Sequence, residues 1–147
     1  MKLQISSRLA IFALLELAAG SDRQLSVAGI GEEYGVSSHH LAKVMHVLVR
    51  AGLVRSVRGA RGGYQFNGNA RRTTLLDVIQ LFENIGADVS AAVGDRTSEG
   101  RALREVLGEI DDITRATLGS ITIATMLKLV ERRRNSGRRP VASARQT

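Results

Sequence analysis

The sequence predicts a mainly α-helical chain with one small β-hairpin, and three observations predict it. A helix opening at Ser37 carries an apolar stripe on one side and a basic stripe on the other. A basic, glycine-tipped hairpin follows it directly. Further on, a segment from Arg101 places apolar residues at a narrow helical spacing. The composition agrees with this. A chain of 147 residues fits one domain, or one small domain with an appendage. Its hydrophobic content of 44% is enough for a buried core. With 3% aromatics and no Trp, that core must be built from Leu, Ile, Val and Ala, which favours helix packed on helix. The absence of cysteine excludes disulfides, thiolate metal sites, thiol redox chemistry and cysteine nucleophiles together.

Ser6 to Ala19 is apolar nearly all round the helical wheel, as expected of a helix covered on more than one side. Reading Leu9 to Ala19 as a signal peptide fails because Glu16 interrupts it, and the stretch is too short to span a bilayer, which takes ~20 residues. No membrane partner is expected. Gly20 to Gln24 reads as a turn. Ser26 is placed to cap a short helix through Tyr34, in which Gly29 and Gly31 each cost about 1 kcal/mol. Gly35-Val36-Ser37 stops that helix and starts the next.

The helix from Ser37 to Ala51 is the most informative segment. Leu41, Val44, Met45, Leu48 and Ala51 fall on one side, while His39, Lys43, His46 and Arg50 line the other at i, i+4, i+7 and i+11. Gly52 ends it. Leu53 to Arg58 and Tyr64 to Phe66 form a hairpin around Gly59-Ala60-Arg61-Gly62-Gly63, with Arg55, Arg58 and Arg61 near its tip. A helix, a short helix, a turn, a second helix and a basic hairpin is the order of a winged helix-turn-helix, spanning residues 1–72.

Residues 73–131 read as a dimerisation and effector region. Thr74-x-x-Asp77 resembles a capping box and opens a helix through Val78, Ile79 and Phe82 to about Ile85. Gly86 to Gly100 is a loop. From Arg101 a long helix places Leu103, Val106, Ile110, Ile113 and Thr117 on a seam of the coiled-coil kind, and Gly119 is expected to break it. A chain this small offers such a seam few partners of its own, so the helix is expected to pair with a second copy in a homodimer. Thr122 caps a last amphipathic helix through Met126, Leu127 and Val130. Residues 132–147, rich in arginine and without apolar periodicity, read as a basic disordered tail.

The net charge of +7 is unevenly spread: +6 over residues 1–75, −4 over 76–130 and +5 over 131–147. Such a distribution turns the front of the chain toward a polyanion. Enzyme classes find no support. His39, His40 and His46 lack the i, i+3 or i, i+4 spacing of a helical zinc site, and Asp88, Asp95 and Glu99 read as a solvated loop. The glycine-rich turn lacks the Gly-Lys-Ser/Thr ending of a phosphate-binding loop and leads into a strand. No nucleophile elbow is present.

Four stretches carry a family resemblance: Lys2-Leu3 through Ala19, Ile30 to Val36, Ala51-Gly52-Leu53-Val54-Arg55-Ser56-Val57-Arg58-Gly59 through Gly62-Gly63-Tyr64, and Ser120-Ile121-Thr122 with Leu127. Over about residues 2–131 the chain resembles the Rrf2 family of bacterial regulators. The resemblance implies a homodimeric transcription regulator whose recognition helix enters the major groove of double-stranded DNA and whose wing reaches the minor groove. By position, Ser38, His39, His40 and Lys43 would meet bases or phosphates, and Arg58 would be the wing arginine. With the basic stripe, the expected DNA-binding set is Ser37, Ser38, His39, His40, Lys43, His46, Arg50, Arg55, Arg58 and Arg61. Many members carry three cysteines in the loop before the dimerisation helix and bind an iron-sulfur cluster there. This chain has none, so no cofactor is expected and the family's usual sensor is missing.

The reading that results is a cytoplasmic, sequence-specific repressor that senses neither iron-sulfur clusters nor thiol oxidation. A small-molecule effector would be placed between the dimerisation helix and the Thr74 to Ile85 helix; without one, the protein is a constitutive repressor. The competing reading is a dimer that binds small molecules or protein partners and retains a vestigial winged helix. Such a module would have no reason to keep a basic stripe and wing.

Overall fold

The structure, a computed structural model, describes residues 1–20, 26–59, 62–86 and 92–138. Helix α1 (Ile5–Ala18) lies at its centre, with Leu9, Ala10, Ala13, Leu14 and Leu17 buried. It packs against α3 (Ser38–Arg50), strand β2 (Gly63–Phe66), α4 (Leu75–Ile79) and α6 (Ile123–Gly137). An apolar surface on nearly every side is what a helix with that many neighbours needs.

Helix α2 (Val27–Tyr34) opens at Ser26, whose Oγ accepts the Gly29 N–H at 3.1 Å, and ends at Gly35 with φ +64°. It is held to α1 at its far end. The Tyr34 ring stacks on Phe12 with centroids 4.9 Å apart, and its hydroxyl donates to Glu16 Oε1 at 3.0 Å. Gly31 is more than a weak point in this helix. A Cβ there would stand 2.9 Å from the Val36 carbonyl oxygen, because the turn between α2 and α3 folds back so closely that the Val36 N–H donates to Gly31 O at 3.0 Å.

Helix α3 begins as expected, with Ser37 Oγ accepting the His40 N–H at 3.2 Å. It ends in a pair of reversed bonds, Leu53 N–H to Leu48 O at 3.1 Å and Gly52 N–H to Val49 O at 3.0 Å, made possible by Gly52 at φ +77°. Strands β1 (Val54–Val57) and β2 pair antiparallel from Val54↔Phe66 to Val57↔Gly63. The core gathers Leu14, Leu17, Ile30, Leu41, Met45, Leu48, Val54, Ile79 and Ile123.

Four boundaries differ from the sequence expectation. Helix α4 has the expected capping box, with Asp77 N–H to Thr74 Oγ1 at 3.1 Å and Thr74 N–H to Asp77 Oδ2 at 2.9 Å, but it ends at Ile79 instead of running to Ile85. The bonds tighten to i−3 at Leu81 and Phe82. Glu83 is drawn toward α1, where its carboxylate accepts the Gln4 N–H at 2.9 Å and the Ser7 hydroxyl at 2.5 Å. Helix α5 (Ser98–Ser120) starts three residues before Arg101, because Thr97 Oγ1 caps it through the Gly100 N–H at 3.0 Å.

Gly119 does not break α5. One glycine costs a helix about 1 kcal/mol, and the packing of Leu118 against the core offsets it. The helix stops where Ile121 turns extended and is stitched to the start of α4, with Leu75 N–H to Ile121 O at 2.8 Å and Ile123 N–H to Thr73 O at 2.9 Å. Helix α6, capped by Thr122 as expected, continues past Glu131 to Gly137, so residues 132–137 are helical and not part of a disordered tail. Arginine is a good helix former and its charge suits a helix C-terminus. The rest of that expected tail, residues 139–147, lies outside the described residues, as does most of the Gly20 to Gln24 turn.

Gly31→Ala is expected to destabilise the fold by about 1 to 3 kcal/mol, since the carbonyl it would press upon is backbone. Urea unfolding reads this as a lower midpoint with an unchanged slope. A neutral result would show that the turn can open without cost.

Candidate nucleic-acid interface

Because Leu41, Val44, Met45 and Leu48 are buried, α3 must turn its other side outward; Ala51, expected in the same stripe, caps the helix and is exposed. Ser38, His39, Lys43, His46 and Arg50 are all exposed there. At 1.5 Å per residue the ridge from His39 to Arg50 is about 16 Å long. The first turn of α3 contains no acidic residue. Ser37 satisfies the His40 amide, leaving the amides at the very start of the helix, with the positive end of its dipole, available to a phosphate oxygen. Ser37 therefore acts first through its cap.

His40 is placed apart from this ridge. It is half-buried, with Nε2 3.2 Å from Ser6 Oγ on the first turn of α1. Its side chain joins α1 to the N-terminal end of α3, which gives it a positioning role. The sequence carried no sign of this joint, because neither residue belongs to a motif.

In the hairpin, Arg55 donates Nε–H to Gln65 Oε1 at 2.8 Å, and its Nη2 donates to the same oxygen. Arg55 and Gln65 are direct cross-strand partners, so the guanidinium lies along the sheet. Arg58 follows β1 and is exposed. The wing tip is tight: a Cβ at Gly62 would stand 3.0 Å from the carbonyl oxygens of both Val57 and Gly59. Arg61 lies outside the described residues. Asn67, which the sequence reading passed over, fixes the wing to the recognition helix. Its N–H donates to Leu53 O at 2.9 Å and its Nδ2 to Gly52 O at 3.2 Å.

Helix α5 buries none of its residues. Leu103, Val106, Ile110 and Ile113 are open to solvent, from 52% exposure at Ile110 to 67% at Ile113. Leu107, equally exposed and absent from the expected seam, widens it. Thr117 donates its hydroxyl to Ile113 O at 2.8 Å, which leaves its methyl group to the seam. Asp95 is engaged structurally, paired with Arg104 and accepting the Ala92 N–H at 2.7 Å.

His39→Ala is expected to weaken duplex binding with an unchanged urea midpoint. His40→Ala is expected to lower stability by about 0.5 to 1.5 kcal/mol, the cost of a lost hydrogen bond. Anisotropy titration and urea unfolding check the pair, and the opposite pattern would reverse the two roles.

Comparison with known proteins bears on this arrangement directly. Residues 3–129 match the Rrf2 family model, described as an iron-dependent transcriptional regulator. The chain is 50% identical over 147 residues to the HTH-type transcriptional regulator BadM of Rhodopseudomonas palustris, covering 99% of this chain and 94% of that protein. It is 30% identical over 132 residues to the protein rrf2 of Nitratidesulfovibrio vulgaris, covering 87% and 88%. Among solved structures it is similar to CymR, the global cysteine regulator of B. subtilis, with a TM-score of 0.74, 28% identity, and coverage of 88% of this chain and 98% of that one. T. potens IscR is similar with a TM-score of 0.73, 28% identity and 90% coverage of each chain.

The family's iron finds no fitting donors here. Thiolates, which chiefly hold iron-sulfur clusters, are absent from the sequence. Among the described residues no three His, Asp or Glu side chains stand together as a metal site would require. The chain, with its recognition helix and wing, belongs to the Rrf2 family and is a DNA-binding transcriptional regulator.

Proposed function

We propose that this protein is a homodimeric, cytoplasmic repressor that reads an imperfect palindrome in double-stranded DNA and whose DNA binding is independent of iron and of thiol chemistry. The observation that carries the reading is the pairing of an exposed basic ridge on α3 with an exposed apolar seam on α5. A seam of this kind, unburied within one chain, is stabilised by a second copy, and a two-fold axis then presents two recognition helices. His39, Lys43 and His46 would reach base edges of the major groove, Arg50 and the amides at the start of α3 would meet phosphates, and Arg58 would enter the minor groove. Arg55, held against Gln65, would meet the backbone. No helix among the described residues is long and apolar enough to cross a membrane.

Selection of duplexes on the purified protein, followed by titration at several salt concentrations, tests the reading. Half-sites about 34 to 36 Å apart, or a multiple of that, are expected. Lys43→Ala should relax base preference, and Arg58→Ala should weaken cognate binding by about 1 to 3 kcal/mol. Equal losses on cognate and random DNA, or a strict monomer in sedimentation at micromolar concentration, would overturn it.

Affinity for the selected duplex is also expected to be the same for protein prepared aerobically and anaerobically, and unchanged by peroxide or nitric oxide. A cluster-like visible absorption, or a large loss of affinity on oxidation, would refute the thiol-free reading. Only Met1, Met45 and Met126 supply sulfur.

A further inference from the structure

A cavity of about 710 Å3 opens between α1, α2 and α6, within the roughly 300 to 1,000 Å3 of ordinary ligand sites. It is not the space between α4 and α5 where the sequence placed an effector; there the two helices pack directly on each other. None of the residues assigned above to DNA binding or to the α5 seam lines it. Its floor is apolar, formed by Phe12 and Leu15 from α1 and by Met126, Leu127 and Val130 from α6.

The two walls carry opposite charges. On one side Glu16 accepts the Tyr34 hydroxyl, and Glu33 stands beside Tyr34 at the end of α2. The C-terminal ends of α1 and α2 add negative potential to that wall. The Tyr34 hydroxyl is pushed up to about 12 by burial and then by Glu16, while Arg134 opposes the shift from across the cavity. On the other side stand Arg134 of α6 and Arg138, which follows directly on that helix, with Glu131 exposed beside them. Among the described residues no ion pair joins Glu33 to either arginine.

We propose that this cavity binds an apolar zwitterion: an α-amino acid with a large apolar side chain, or a dipeptide of such residues. The ammonium group lies on Glu33, the carboxylate on Arg134 and Arg138, and the side chain over Phe12 and Val130. A lone anion would be set against carboxylates and two helix C-termini, and a lone cation against two guanidiniums. A zwitterion complements both walls, and guanidinium is the side chain best suited to a carboxylate. An occupant would bridge α2, the first helix of the helix-turn-helix, to α6, which continues from the dimerisation helix. It would thereby change how the recognition helices are held relative to the dimer arm. That regulatory half rests on the function proposed above; binding itself does not.

Calorimetric titration of the full chain with L-phenylalanine, phenylalanyl-leucine, N-acetyl-L-phenylalanine and L-phenylalaninamide tests the proposal. At least one zwitterion is expected to give saturable heat, with each single-charge analogue about tenfold weaker or more, as loss of one charge-assisted contact implies. Glu33→Gln and Arg134→Gln, both at exposed positions, should each weaken the zwitterion about tenfold with unchanged melting. Absence of saturable heat from both zwitterions at millimolar concentration, or analogues binding equally well, would overturn it. A zwitterion that binds without changing duplex affinity would overturn the regulatory half alone. Failure of the unliganded protein to bind any duplex would count instead against the function, with calorimetry still deciding the cavity.

Discussion

Burial of α1 on nearly all sides is the constraint from which the other positions follow. Leu14 and Leu17 are fully buried, and around them sit the recognition helix, the wing's return strand, the short α4 and the start of α6. An apolar helix of this length stays folded only while those neighbours cover it. Helices α2 and α3 and the segment after α4 also meet α1 through polar contacts at its rim: Tyr34 on Glu16, His40 on Ser6, Glu83 on Ser7 and the Gln4 amide.

The same arrangement separates two surfaces of different chemistry. The front carries cations on a rigid helix whose two ends are both capped, by Ser37 and by the bonds around Gly52. The α5 arm carries aliphatic side chains with no cover of their own. On the function proposed above, a phosphate backbone would attract the first at long range, and desolvation would drive the second at contact. Neither surface carries a thiolate, although the family is described as iron-dependent.

What the sequence made legible was governed by local rules. Ser26, Ser37, Thr74 with Asp77, and Thr122 all cap the helices they appear to cap, because a side-chain oxygen two or three residues before a free amide suffices. The inward stripe of α3 and the hairpin were legible for the same reason. What was hidden depends on approach between distant segments. Gly31 reads as a flaw in a helix until the Val36 carbonyl is seen against it, and Gly119 reads as a stop until the core is seen to hold Leu118. The early end of α4 depends on Glu83 reaching back to residues 4 and 7, a contact with no sequence signature. The cavity was invisible for a like reason: Glu16, Glu33 and Arg134 lie on three helices.

The antiparallel bridge between Thr74 and Thr122 has a wider consequence. Helix α5 lies on the excursion that this bridge closes, although the first part of that excursion, with Leu75, Val78, Ile79 and Ile85, is buried in the body itself. Lengthening such an excursion costs little closure entropy, about 0.6 kcal/mol for each doubling. Helix α5 buries none of its residues, so its length is what the body registers least.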